Sequence, residues 1–114
     1  MPEPQRVAGF EKTIMMTSVL SVHHVPIRLT AERWTHVVEE HCELAGLQLE
    51  VLETVARPEA IYAGRAEELL AIRELLPGRY LVVVYRETAT DGFIVTAFLT
   101  SKIQKIQRRP QLWP

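Results

Sequence analysis

Tyr80-Leu81-Val82-Val83-Val84-Tyr85-Arg86, a polar connection ending in Asp91-Gly92, and Phe93-Ile94-Val95-Thr96-Ala97-Phe98-Leu99-Thr100 are the stretches that decide the fold. Both runs are rich in β-branched and aromatic residues, which suit a half-buried pleated surface, and Asp-Gly between them supplies hairpin turn chemistry. They are predicted to be adjacent antiparallel strands. Toward the N-terminus, Glu67 to Leu76 is open to two readings: Ala, Glu and Leu favour a helix, whereas the Pro77-Gly78 turn that follows favours a hairpin partner. Ala60-Ile61-Tyr62-Ala63, ahead of Gly64, is one more short strand candidate.

Upstream of Pro58 the pattern becomes helical. Thr30 can accept from the free N–H groups of a helix start, and Glu32 sits at the positive end of the dipole. Trp34, Val37, Val38, His41 and Leu44 then recur at helical spacing, Arg33, His36 and Glu40 lie on the adjoining stripe, and Gly46 is expected to cap the end. A second helix, Leu47 to Val55, presents Leu47, Val51, Leu52 and Val55 on one side and stops before Pro58. Ile14 to Val22 reads either as a short strand or, with Met15 and Met16, as a start-site feature. Met1 to Thr13 is expected to be loosely held and has no signal-peptide pattern. The order predicts an α+β domain, its N-terminal helices packed on one face of a roughly four-stranded antiparallel sheet, with residues 1–25 as an extension and 26–114 as the domain proper.

The 114 residues are enough for one hydrophobic core, and 47% hydrophobic with 24% charged residues argues against a disordered chain. No apolar run is long enough to span a bilayer. The single cysteine, Cys42, excludes an internal disulfide and a cysteine-based zinc site, and points to an intracellular, cytoplasmic location. A net charge of -1 hides an asymmetry: residues 1–91 carry 9 Lys and Arg against 14 Asp and Glu, whereas residues 92–114 carry Lys102, Lys105, Arg108 and Arg109 and no acid. The basic end is suited either to meeting phosphates or simply to being solvated.

Phosphate-cradling glycine loops, a His-Glu-x-x-His helix, a nucleophile elbow and paired Cys-x-x-Cys are all missing from the sequence. His36 and His41 would point roughly 140° apart on one helix, and the neighbours His23 and His24 would point to opposite sides of a strand. No metal or other cofactor is expected. What remains is imidazole, guanidinium and hydroxyl chemistry. If Phe93, Val95, Ala97 and Leu99 face the helices together with Leu81, Val83 and Tyr85, then Thr96, Thr100, Tyr80 and Arg86 share the open face, where Arg73 can join them.

Ile27-Arg28-Leu29-Thr30-Ala31-Glu32-Arg33-Trp34-Thr35-His36-Val37, with Glu40-His41-Cys42-Glu43-Leu44, resembles the opening of the barnase-EndoU-colicin-RelE-like (BECR-fold) nuclease domains of phages and bacteria. The runs Tyr80 to Arg86 and Asp91 to Lys102 and the terminal Leu112-Trp113-Pro114 extend that likeness over Pro26 to Pro114; Cys42 departs from it where the pattern has proline. The resemblance implies helices packed on a four-stranded antiparallel sheet, with Glu67 to Leu76 mostly strand. It also implies a metal-independent ribonuclease, often a toxin held by a cognate antitoxin or immunity protein.

The expected function is therefore an endoribonuclease that cleaves RNA by 2'-hydroxyl attack. His36 would be the general acid or base, Arg33 and Arg86 would hold phosphate, Thr96 and Thr100 would orient it, and Lys102 would steer RNA. His41, Arg73, Tyr80 and Lys105 complete the candidate substrate contacts. The rival from another class is a non-catalytic domain of the same fold that holds RNA or an acidic protein through Lys102 to Arg109. A third reading is a homodimer paired through the Val-rich strand.

Overall fold

The computed structural model describes residues 16–114. Its strands are β1 (Met16–Leu20), β2 (Pro26–Thr30), β3 (Ala60–Ala63), β4 (Leu69–Leu76), β5 (Arg79–Glu87), β6 (Gly92–Thr100) and β7 (Gln111–Trp113). The helices are α1 (Ala31–Glu40), α2 (Gln48–Ala56) and the single-turn α3 (Gln104–Gln107), with a 3-10 turn at Cys42–Leu44. The Val-rich run and its partner are the antiparallel pair β5–β6, with Val82 opposite Phe98 and Tyr80 opposite Thr100. Of the ambiguous Glu67 to Leu76, Leu69–Leu76 is strand β4, antiparallel to both β5 and β3, and Glu67 and Glu68 belong to the turn before it. Tertiary pairing overrides the helix propensity of its Ala, Glu and Leu residues.

The predicted architecture needs correction. The sheet has seven strands in the order β1-β2-β6-β5-β4-β3-β7, and it is mixed because β2 runs parallel to β6. Four antiparallel strands with helices packed on one face is not the observed fold. The additional strands come from segments whose sequence signal is short. β2 is joined directly to the helix start it feeds, β1 is its hairpin partner, and β7 is three residues at the end of the chain.

Helices also lie on both faces. On one, Ile27, Leu29, Ala71, Leu81, Val83, Tyr85, Ile94 and Ala97 pack with Val37 of α1, Leu44, and Val51, Leu52 and Val55 of α2. On the other, Tyr62, Leu70, Ile72, Val82 and Val84 pack with Ile103 and Ile106, which seat the C-terminal turn on the sheet. Burying each isoleucine contributes about 2 kcal/mol, enough to close a face that the sequence left open.

Local chemistry sets the element ends. The Thr30 side chain accepts from the Arg33 N–H at 3.0 Å, the N-cap expected of it. Helix α1 nevertheless stops at Glu40, and Gly46, at φ +83°, lies beyond the intervening 3-10 turn, so it does not cap α1 as expected. Gly78, at φ +75°, makes the β4–β5 turn.

Among the described residues, the Tyr85 hydroxyl, Glu87 Oε1 and the Thr96 hydroxyl are buried without a hydrogen-bond partner. Tyr85 is fully covered, yet its hydroxyl finds no partner among the described residues, and burial first, then the Glu87 carboxylate, push the phenol pKa above its ordinary value. A buried orphan donor is costly, so Tyr85→Phe is expected to stabilise the fold by about 1 kcal/mol. Urea denaturation checks this: a lower midpoint for the variant would mean that the hydroxyl has a bonded partner.

Candidate nucleic-acid interface

Strand alternation builds the site. In β2, Ile27 and Leu29 are buried while Pro26, Arg28 and Thr30 point to the other face. Arg28 is the parallel partner of Phe93, and Phe93 is opposite Arg86. Residues opposite one another share a face, so Arg28, Phe93 and Arg86 form one row across three adjacent strands, with about 10 Å between the outer two Cα atoms. A β-bulge at Val95 places Phe93 there: Val84 pairs with Thr96 but Tyr85 pairs with Ile94. The bulge turns Ile94 inward with Ala97 and Leu99, and Phe93, expected on the helix-covered face, outward. Phe93 is 45% exposed.

Two hollows meet at this row. One, of about 240 Å³, is bordered by Arg28, Arg86, Phe93, Glu67, Glu87 and Asp91, and the other by Arg28, Thr30, Arg33, Phe93 and Ile94. They share Arg28 and Phe93, which makes them one groove. Two of its carboxylates are engaged: Asp91 pairs with Arg28 at 3.0 Å, and Glu87 accepts from the His23 ring at 2.8 Å. The Arg28–Asp91 pair is solvent-exposed and so weakly held, leaving Arg28 recruitable by a stronger anion. Among the described residues, Arg33 and Arg86 have no carboxylate partner. Three guanidiniums around an exposed ring match a phosphate-bearing ligand with a flat aromatic group.

The groove gathers only part of the predicted set. Arg33 and Arg86 border it. Helix α1 runs alongside β6 in the same direction, since Arg33 lies by Phe93 and Ile94 while the His41 ring centroid is 6.1 Å from that of Phe98. His36 follows Arg33 by one turn, exposed, its Nδ1 3.5 Å from Glu39 Oε1. His41 instead lies 3.8 Å from Glu43 and is partly covered.

Tyr80, Thr96 and Thr100 do share the face of Arg86, as strand parity predicts, but not its surroundings. The Thr96 hydroxyl is buried without a partner among the described residues. Tyr80 has acidic neighbours: Glu74 foremost, then burial and Glu59, raise its phenol pKa. Thr100 accepts from the Lys102 N–H at 2.9 Å. Arg73 does not join them, because its register partner is Leu81 on the helix-covered face, where it reaches Glu53 at 3.5 Å. Lys102 and Lys105 are exposed beside and on α3, and neither borders the groove.

Sequence reasoning overlooked Arg28 and Phe93 as site residues. The usable signal was the alternation Val25, Ile27, Leu29 against Pro26, Arg28, Thr30, a strand pattern with its arginine on the polar side. Among the described residues, no three His, Cys, Asp or Glu side chains cluster as metal ligands would, and no helix is long and apolar enough to cross a membrane. Comparison with protein-family models, with curated proteins and with solved structures finds no match to this chain.

Proposed function

We propose that this protein acts on RNA in the cytoplasm, holding a single-stranded segment over the Arg28–Phe93–Arg86 row. The observation that supports this best is the row itself: an exposed ring on which a base can stack, with a guanidinium on either side for the flanking phosphates. Duplex is disfavoured because its bases are already stacked on one another.

A second reading, cleavage of the bound strand, is favoured by the place of His36. It stands one turn beyond Arg33, which borders the groove, and its Nδ1 lies 3.5 Å from the Glu39 carboxylate, so an imidazole and a carboxylate follow a groove arginine on the same helix. In metal-independent cleavage a base takes the ribose 2'-hydroxyl proton, that oxygen bonds to the adjacent phosphorus, and an acid protonates the departing 5'-oxygen, leaving a cyclic phosphate. Imidazole and carboxylate can share those roles, with Arg33 and Arg86 stabilising the crowded phosphorane.

Purified protein incubated with labelled single-stranded RNA in EDTA tests both. Binding that weakens steeply with salt supports the first reading. Cleavage that falls at least about 100-fold in His36→Ala, with binding retained, supports the second. Intact RNA under all conditions removes the second reading alone, and absence of binding at low salt removes both.

A further inference from the structure

We infer that the RNA site continues from the Arg28–Phe93–Arg86 row onto the C-terminal turn that caps the same face. There Lys102, Lys105 and Arg108 form a second phosphate-holding patch, so the ligand is a single strand of several nucleotides rather than one nucleotide. This rests on the RNA reading of the groove.

The patch is a product of how the turn is anchored. Ile103 and Ile106 are 6% and 9% exposed, inserted against Tyr62, Leu70, Ile72, Val82 and Val84. With the apolar side chains directed into the sheet, Lys102, Lys105 and Arg108, spaced by three, stay in solvent. Among the described residues none of the three makes an ion pair, and residues 92–114 hold no acid. The cations are therefore available to a ligand.

The turn is also fixed in place. The Lys102 N–H donates to Thr100 Oγ1 at 2.9 Å, Arg109 Nη1 donates to the Ala63 carbonyl at 3.4 Å, the Ala63 N–H donates to Pro110 at 2.9 Å, and β7 pairs with β3. Charges on an ordered turn cost less entropy to engage than charges on a free tail.

Continuity with the groove follows from strand spacing. Val84 belongs to the apolar cluster that seats Ile103 and Ile106, and Arg86 lies two residues further along β5 on the same side, about 7 Å beyond Val84. Of the acidic groups beside this track, Asp91 is paired with Arg28 and Glu87 with His23, Glu67 lines the groove, and Glu59 and Glu74 lie around Tyr80. The helix-covered face is less favourable: Ala31 to Ala56 carries six glutamates, its one arginine, Arg33, borders the groove, and Arg57 and Arg73 on that side are paired with Glu53. A polyanion is steered to one side of this molecule.

Affinity for a uridine dinucleotide and a uridine dodecanucleotide, measured across a salt series, tests the extension. In the triple variant Lys102→Ala, Lys105→Ala, Arg108→Ala the dodecanucleotide should bind about tenfold or more weaker, and its log–log salt slope should shrink by about 2, as loss of three single-strand phosphate contacts requires. Dinucleotide binding should be unchanged. Wild-type affinity and slope for the dodecanucleotide in the triple variant would overturn the extension. Equal weakening for both lengths would do the same, and so would a duplex bound by the wild type as tightly as the single strand. Failure of the underlying RNA reading looks different: the unmodified protein would bind neither length at low salt. The three side chains are exposed, and an unchanged urea midpoint confirms that the variant is folded; Lys105→Arg, which keeps the charge, should bind as the parent does.

Discussion

Phe93→Ala is expected to weaken single-stranded RNA binding by about 5- to 150-fold, the range that corresponds to about 1–3 kcal/mol for one lost base–aromatic stack. Arg28→Ala with Arg86→Ala should cost on the order of a hundredfold more, since charge-assisted hydrogen bonds to phosphate contribute about 1.5–3 kcal/mol each. The two kinds of loss differ in salt dependence. Removing the ring leaves the salt slope unchanged, whereas removing two cations lowers it by about 1.4. All three side chains are exposed, so folding stability should move by less than about 0.5 kcal/mol. Arg57→Ala is the control: its guanidinium is 79% exposed but pairs with Glu53 of α2, on the helix-covered side. If Arg57→Ala weakens binding as much as the arginine pair does, attraction is diffuse and the row is not a site. If Phe93→Ala binds as the parent does, no base stacks there.

Individual elements were legible where long patterned segments carry their own evidence, although the architecture they build was not. β5 and β6 are nine residues each, dense in β-branched side chains, and the structure pairs them as expected. The N-cap at Thr30 depends on the four consecutive positions Thr30 to Arg33 and was equally readable. The errors lie where a strand is too short to show a period or where pairing is not local. β2 and β7 have five and three residues, and the parallel contact of β2 with β6 joins segments more than sixty positions apart. Loop-closure costs of that kind leave no local trace in sequence.

The site was less legible than the fold for the same reason. Arg86 and Arg33 were recognisable as candidate phosphate ligands, yet what relates them to Arg28 and Phe93 is register. The bulge at Val95 reverses the facing of Phe93, and the register of β4 sends Arg73 to the opposite face from Arg86. Alternation assigns parity within a strand; it does not assign which side of the sheet that parity meets once a bulge intervenes. The threonines illustrate the complementary limit. Thr96 and Thr100 fall on the predicted side, but one hydroxyl is buried and the other accepts from a backbone N–H in the turn to Lys102.

Gly92 links the fold to the site, and its replacement should have the largest effect on stability. It pairs with Ile27 on one side and Glu87 on the other, so it is the point where β2, β6 and β5 come together immediately before Phe93. A Cβ added there would collide with the backbone carbonyl oxygen of Arg86 and with Cδ1 of Ile27. Gly→Ala at an accommodating site stabilises by about 0.4–1 kcal/mol through the unfolded chain. Here overpacking dominates, because the carbonyl belongs to a strand paired on both edges and cannot move without shifting Arg86. Gly92→Ala is expected to cost about 3 kcal/mol and to lower the melting temperature by roughly 15 °C. Ile27→Val removes the methyl that forms half of the clash while itself costing about 0.5–1.5 kcal/mol. The double variant should therefore lose less than the sum of the two singles, while the carbonyl collision remains and prevents full recovery. Unfolding curves for the four proteins of this cycle measure that coupling. Strict additivity, or a Gly92→Ala protein as stable as the parent, would show that β2 does not close on β6 at this position, and the Arg28–Phe93–Arg86 row would lose the register that defines it.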